Sequence, residues 1–385
     1  MRILKFLGMF LSVLIPRSKN RYVFGAWFGT KFSDNPKYQY LYVIKNRPDI
    51  KPVWITKSSE VYQTLVDQGL PVEYASSFLG IVAQLRAKYV FICTSVRDVN
   101  EFCMGNAVFI NQWHGIPLKK IMYDDSKAAG QRLNKQWKLS LELKKYPLRK
   151  IFYLATSETF AKIYQSAFRV DEKHIRLCGQ SRNDVFFEKA VDPSHVALPD
   201  HNKTILYMPT HRESGKVKID VSKILDLPKL QQLMEYTNSI FIIKKHYYHN
   251  AEPDVTGEFD RIVDFTGTDV DSQGLEKNAD ILITDYSSCY IDFLLLNRPI
   301  VFFDYDLDNY LSQDRDLYFD YSDVTPGFKT DNFLALHDYL KQLLTKSTDE
   351  FEKMRKDVRG VFYSDLCIKN SCEHLQMLVE EGSFD

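Results

Sequence analysis

The chain has 385 residues, 50 basic and 50 acidic side chains that cancel to a net charge of zero, and six cysteines. That length fits two domains, and a balanced charge argues against a general nucleic-acid binder. The cysteines form no CxxC pair and no zinc spacing, which argues against a disulfide framework, and no stretch reaches the roughly 18–20 apolar residues of a membrane-spanning helix.

Residues 1–21 open with an apolar run, Ile3 to Ile15, with Arg2, Lys5, Arg17, Lys19 and Arg21 in and around it. The run lacks the small-residue cleavage site of a signal peptide. It reads either as a first helix on the core or as a segment lying flat on an anionic membrane. Hydrophobic periodicity then predicts strands over 22–27, 52–56, 72–74, 89–92, 108–112 and 152–156, with helices over 37–45, 60–68, 78–88 and 158–168. Such alternation means an α/β domain with a parallel sheet, over 22–190. Inside it, 127–150 carries Lys127, Arg132, Lys135, Lys138, Lys144, Lys145, Arg149 and Lys150 against Glu142 alone. A basic helix with interspersed aromatics suits a membrane or an acidic substrate, or is a solvated surface helix.

The polar stretch 188–202, with Pro193 and Pro199, is the expected domain boundary. Alternation restarts in a second domain over 200–365, with strands over 204–208, 239–243, 262–265, 281–284 and 300–303 and helices over 229–236, 290–295, 333–345 and 350–360. A last helix, within 366–385, is a candidate to return to the first domain. The most informative stretch is 280–305, a strand–helix–strand unit with Ser287 and Ser288 where the helix begins. Serine there caps the helix or donates to an anion beside its partial positive charge.

Polar groups gather at the carboxyl ends of the predicted strands, where open α/β sheets bind ligands. His114 follows the strand ending at Gln112, and Thr210 and Arg212 follow the one ending at Met208. Lys244 and His246 follow Ile243, and Asp285, Ser287 and Ser288 follow Thr284. Arg212, Lys244 and His246 supply positive charge, and the hydroxyls supply donors, for phosphate oxygens. His114 suits taking a proton from an attacking hydroxyl. The set reads as transfer onto or from a diphosphate. No Walker A, GxGxxG, HExxH or acidic metal cluster supports ATP hydrolysis, NAD chemistry or a metal, so no cofactor is expected. Asp304, Asp306 and Asp308 read as a hydrated loop. Each group also has an ordinary structural reading, the serines as caps and the histidine as a hydrogen-bonded core residue.

Four motifs together resemble the CDP-glycerol glycerophosphotransferase family of teichoic-acid primases and polymerases. Residues 113–120, WHGIPLKK, resemble the family's WHGTPLKK, and 207–212, YMPTHR, its YAPT-aromatic-R. Lys244-Lys245-His246 resembles KxHP, and 280–288, DILITDYSS, with Asp292 and Pro299, resembles DILITDYSS…D…P. Residues 33–36, SDNP, and 179–184, GQSRND, are weaker matches. Ile116, His211 and Tyr247 depart from the pattern. The resemblance implies a GT-B-like fold, two Rossmann-type domains facing across a cleft. It implies transfer of a polyol phosphate, glycerol phosphate foremost, from a CDP-polyol donor to a hydroxyl of a lipid-linked glycan or polyol-phosphate acceptor, releasing CMP. His114 then matches the base and His246 a second catalytic position. Thr210, Arg212, Lys244, Asp285, Ser287 and Ser288 fall on the donor phosphate side, and Lys119, Lys120, Lys135 and Lys138 on the acceptor and membrane side. The enzyme is expected at the cytoplasmic face of the membrane, bound to its anionic surface and to no nucleic acid. A GT-B glycosyltransferase using a nucleotide-sugar, and a non-catalytic membrane or polymer scaffold, are the alternatives.

Overall fold

The structure is a computed structural model that describes all residues except 1–10, 126–149, 189–197, 211, 213–218, 246–252, 254, 256, 269, 308–309, 311–315 and 347. The chain divides into two compact units. One comprises Met1–Ile116, Met122–Asp184 and Tyr363–Asp385, the other Pro117–Ile121 and Val185–Phe362.

The first unit is built on a seven-stranded sheet in the order β3-β2-β1-β4-β5-β6-β7. Its strands are β1 Ser18–Phe24, β2 Lys51–Thr56, β3 Val72–Tyr74, β4 Ala87–Ile92, β5 Val108–Asn111, β6 Lys150–Ala155 and β7 Ile175–Leu177. Every pairing is parallel. Successive side chains point to opposite faces, so Tyr22, Phe24, Tyr89 and Phe91 enter one core while Val23, Val90 and Ile92 enter the other. With both faces covered, the strands need continuous apolar runs, which is how they read in the sequence. Strand order reverses between β1 and β4.

Two helix boundaries differ from the periodicity. The helix after β1 spans Asp34–Asn46, because Pro36 sits in its first turn, where no amide partner is lost. The helix Phe78–Arg86 stops short because Ala87 already pairs with Ser18 as β4 begins. The described part of the N-terminal segment packs on this unit. Arg17 donates to the carbonyls of Gln84 at 2.6 Å and Cys103 at 3.0 Å, and Ser12 Oγ accepts from Gly105 N at 2.8 Å. Arg17, one of the flanking cations, is therefore used inside the unit. The helix Ser371–Glu380 adds Leu375 and Val379 to the first core. Its first turn is held by Asp184, whose carboxylate accepts from Ser371 N and Cys372 N, both at 2.7 Å.

The second unit has a six-stranded parallel sheet in the order β10-β9-β8-β11-β12-β13. Its strands are β8 Lys203–Tyr207, β9 Ser239–Ile243, β10 Ile262–Asp264, β11 Ile281–Thr284, β12 Ile300–Phe303 and β13 Phe328–Thr330. Ile205, Tyr207, Phe241, Ile243, Ile281, Ile283, Val301 and Phe303 share a core with Leu230, Leu233, Leu336 and Leu340 of the covering helices Leu227–Tyr236 and Phe333–Lys346. Here the order reverses between β8 and β11.

Candidate active site

In the first unit, β5 delivers His114 in a turn few residues adopt without cause. Trp113 takes φ 54° and Gly115 φ 136°, and the latter favours glycine. Asn111 Oδ1 accepts from Trp113 N at 2.9 Å, and Asn35 Nδ2 donates to Trp113 O at 2.9 Å. Arg182 donates through one nitrogen to Asp34 Oδ1 at 2.9 Å and to the His114 carbonyl at 3.2 Å. Its own amide donates to Asn35 Oδ1 at 3.1 Å. The stretches 33–36 and 179–184 thus converge as a brace on the histidine's backbone.

The ring is positioned as firmly. Nδ1 of His114 lies 3.1 Å from the Cys93 carbonyl. A carbonyl only accepts, so Nδ1 carries the hydrogen and Nε2 keeps its lone pair. The ring packs between Trp113, centroid 4.2 Å away, and Trp27, 5.1 Å away. Burial lowers the His114 pKa below 6.5, and Asp34 and the Cys93 carbonyl offset this only in part. At neutral pH the imidazole is an uncharged base.

Asp98 organises the neighbouring loops. It is fully buried and accepts from Phe28 N at 2.8 Å, Cys93 N at 2.9 Å and Thr94 N at 2.8 Å, with Thr94 Oγ1 also bonded to it. Burial raises its pKa, against the pull of these donors.

In the second unit, the loops after β8, β11 and β12 meet at Arg212. Its guanidinium lies 2.9 Å from Asp285 Oδ2 and donates to both Asp306 oxygens, at 2.7 and 2.9 Å, and to the Thr210 carbonyl at 2.7 Å. Asp285 Oδ1 accepts from Thr210 N at 2.8 Å and Tyr286 N at 2.6 Å. Tyr286 donates through its hydroxyl to Asp306 at 3.1 Å and stacks on Tyr310 at 4.0 Å. Burial lowers the Arg212 pKa, but Asp285 and Asp306 outweigh it and raise the group well above its ordinary value. Arg212 is thus a permanently charged tie between three loops, its partners among the described residues lying inside the unit. Asp306 is one of its anchors rather than part of a hydrated loop.

The serines sit beside this tie. The helix after β11 is only Cys289–Phe293, five residues long, so the dipole argument for phosphate there carries little weight. Ser288 precedes that helix without a side-chain capping bond, and Ser287 Oγ accepts a long bond, 3.4 Å, from Cys289 N. Thr210 Oγ1 is buried and meets no hydrogen-bond partner among the described residues. Lys244 reaches the carbonyls of Phe265 at 3.0 Å and Thr268 at 2.8 Å.

Lys119 and Lys120 were expected with the first domain, on the acceptor side. The structure places 117–121 in the second unit instead. Lys120 N donates to Asp316 O at 2.7 Å, Tyr318 N to Leu118 O at 3.0 Å, and the Lys119 ammonium lies 4.9 Å from the Tyr310 ring. Backbone pairing with 316–318 decides this, and side-chain charge gives no hint of it. His246, Lys135 and Lys138, with the basic segment 127–149, lie outside the described residues. Sequence reasoning assigned no role to Asp34, Asn35, Cys93, Asp98 or Arg182. The first two and Arg182 fell in the weaker motifs, whereas Cys93 and Asp98 left no signal.

Comparison with known proteins bears on this geometry. Residues 7–369 match the family described as CDP-Glycerol:Poly(glycerophosphate) glycerophosphotransferase. A teichoic acid glycerol-phosphate transferase of Staphylococcus aureus is 30% identical over 91% of this chain and 89% of its own length. A teichoic acid poly(glycerol phosphate) polymerase of Bacillus spizizenii is 28% identical over 96% of this chain and 93% of its own. Among solved structures, the wall teichoic acid polymerase TagF shares the fold with a TM-score of 0.79 at 24% identity, covering 98% of this chain and 94% of that one. The two-domain α/β architecture is therefore GT-B-like.

Proposed function

This chain belongs to the CDP-glycerol:poly(glycerophosphate) glycerophosphotransferase family, and from that premise we propose that it moves glycerol phosphate from CDP-glycerol to a hydroxyl of a lipid-linked or polymer acceptor in the synthesis of a teichoic-acid-like envelope polymer. The observation that carries the chemistry is His114, neutral, fixed through Nδ1 and left with a basic Nε2. Nε2 removes the acceptor hydroxyl's proton as the oxygen attacks the phosphorus that bears glycerol. The new P–O bond forms as the bond to the CMP oxygen breaks, and CMP leaves with the electron pair. Such a transfer needs mainly alignment and charge stabilisation.

On the donor side, the Thr210, Ser287 and Ser288 hydroxyls supply hydrogen-bond donors to the diphosphate. The unpartnered Thr210 hydroxyl and the uncommitted cap of Ser288 support that role. Arg212 and Asp285 position these loops, and His246 and Lys244 complete the donor side. Calorimetric titration with CDP-glycerol, CDP-ribitol and UDP-glucose tests the reading. Binding of a CDP-polyol, lost in the Ser287→Ala/Ser288→Ala double variant, is expected. Binding of UDP-glucose alone moves the protein to the glycosyltransferases.

An anionic membrane surface is the partner we assign to the first unit. Among the described residues no helix is long and apolar enough to cross a membrane. Phe78 is 80% exposed and Leu79 61%, on the same helix as exposed Arg86, and Leu14, in the chain's opening segment, is 77% exposed. Apolar side chains flanked by cations suit the headgroup boundary. Phe78→Ser with Leu79→Ser is expected to weaken co-sedimentation with phosphatidylglycerol vesicles, and unchanged sedimentation removes this face from the interaction.

A further inference from the structure

Three consecutive residues after β1 take positive φ: Trp27 at 48°, Phe28 at 59° and Gly29 at 82°. Glycine adopts this region freely, but bulky residues do so only under constraint, because Cβ crowds the carbonyl oxygen. Such strain persists where the surroundings over-determine it, and here they do. Phe28 N donates to Asp98 Oδ1 at 2.8 Å, and Lys57 Nζ donates to Phe28 O at 3.0 Å. Gly29 O accepts from Lys57 N at 2.6 Å and Thr56 Oγ1 at 3.0 Å. Gly29 N and Thr30 N close onto the carbonyls of Ala26 and Trp27.

What these bonds hold in place is aromatic surface. Phe28 is 48% exposed, so core packing does not account for a strained phenylalanine. The Trp27 ring lies 5.1 Å from that of His114. The turn leaves β1 where strand order reverses against β4, one strand from the β5 that delivers His114, and ligands bind at such reversals. Asp98 couples the two: it holds the Phe28 amide and the Cys93 amide, and the Cys93 carbonyl holds the His114 ring.

We propose that the Trp27–Phe28 turn is the platform on which the acceptor's sugar ring lies while its hydroxyl reaches Nε2 of His114. The electron-rich face of an aromatic ring suits the C–H face of a pyranose. The Lys57 ammonium beside this turn donates to the Phe28 and Arg97 carbonyls and so holds the turn itself. The proposal rests on His114 as the base for the acceptor hydroxyl and names the acceptor's reacting end.

Saturation-transfer NMR on the whole protein, with methyl β-glucopyranoside and glycerol 3-phosphate as probes, tests it. The wild type is expected to saturate the glucoside ring protons, and Phe28→Ala and Phe28→Gly each to lower that signal at least about fivefold. Phe28→Gly should also melt about 2–4 °C above Phe28→Ala, because glycine alone relieves the turn. No glucoside signal in the wild type, an unchanged signal in Phe28→Ala, or a stronger signal from glycerol 3-phosphate overturns the proposal. So does a loss confined to Phe28→Gly, which would make turn rigidity the cause, and so does equal melting of the two variants, which would remove the strain. Wild-type binding of CDP-glycerol, measured on the same sample, reports on the transfer reaction separately.

Discussion

The loops that hold His114 and those that hold Arg212 lie at corresponding places in their sheets, beside the reversals at β1/β4 and β8/β11, but they are built by opposite means. Around His114 the ring itself is held by a backbone carbonyl, and the Arg182–Asp34 pair meets the residue at its own carbonyl rather than at its ring. This leaves the ring neutral at pH 7 with a lone pair on Nε2. Around Arg212 the charge is the structural element, one cation locked between Asp285 and Asp306. Tied so, Arg212 joins the three loops that carry Thr210, Asp285 and Asp306. The lesson is that a strand-end arginine and a strand-end histidine look alike in a motif yet differ once their partners are known, the one held by carboxylates and the other by a backbone carbonyl.

Four measurements test that contrast. The largest effect is expected from His114→Ala, which should cut turnover by about 10²–10⁴, the usual worth of a general base, while CDP-glycerol binding persists. A variant that turns over normally would make this histidine structural after all. Arg212→Met should act on stability instead, because it strands the buried Asp285 carboxylate and the half-buried Asp306; a loss of about 3–5 kcal/mol in urea unfolding is expected. A variant as stable as the wild type would mean that Arg212 is no tie. Arg182→Met should lie between these two, lowering turnover about tenfold by misplacing the His114 turn. Equal loss of rate in a control that spares the turn would dissolve this distinction.

The smallest effect is in pH dependence. The His114 pKa is lowered in the folded protein, so the acid limb of the rate profile should fall below pH 6.5, the ordinary value. Stability follows the same sign. The unfolded chain binds the proton more readily, so the contribution from this residue is complete above the unfolded pKa and declines as pH falls toward the folded one. An acid limb at or above 6.5 would place His114 in a more solvated or acidic setting than its geometry gives it.

The alternation of strands and helices was legible because burial on both sheet faces requires continuous apolar strands, and runs such as Ile281–Thr284 and Ile300–Phe303 show that directly. The placing of His114, Thr210, Asp285, Ser287 and Ser288 at strand ends followed from the same pattern. Motif order along 113–120, 207–212, 244–246 and 280–288 identified the family before any geometry was known. All of these are local properties, encoded within a few residues of where they act.

Tertiary structure alone decided the rest. Asp34 meets Arg182 across 148 residues of sequence, and Arg212 meets Asp306 across 94; nothing in either neighbourhood announces the partner. Cys93 contributes a backbone carbonyl, which every residue type carries, so no sequence signal exists for it. The left-handed turn at Trp27 and Phe28 runs against the preference of both residues, and only the surrounding bonds impose it. Lys119 and Lys120 follow His114 by a few residues yet join the second unit, because backbone pairing to 316–318 outweighs nearness in the chain. Periodicity records which face a residue buries, whereas pairing between distant segments is a property of the folded chain.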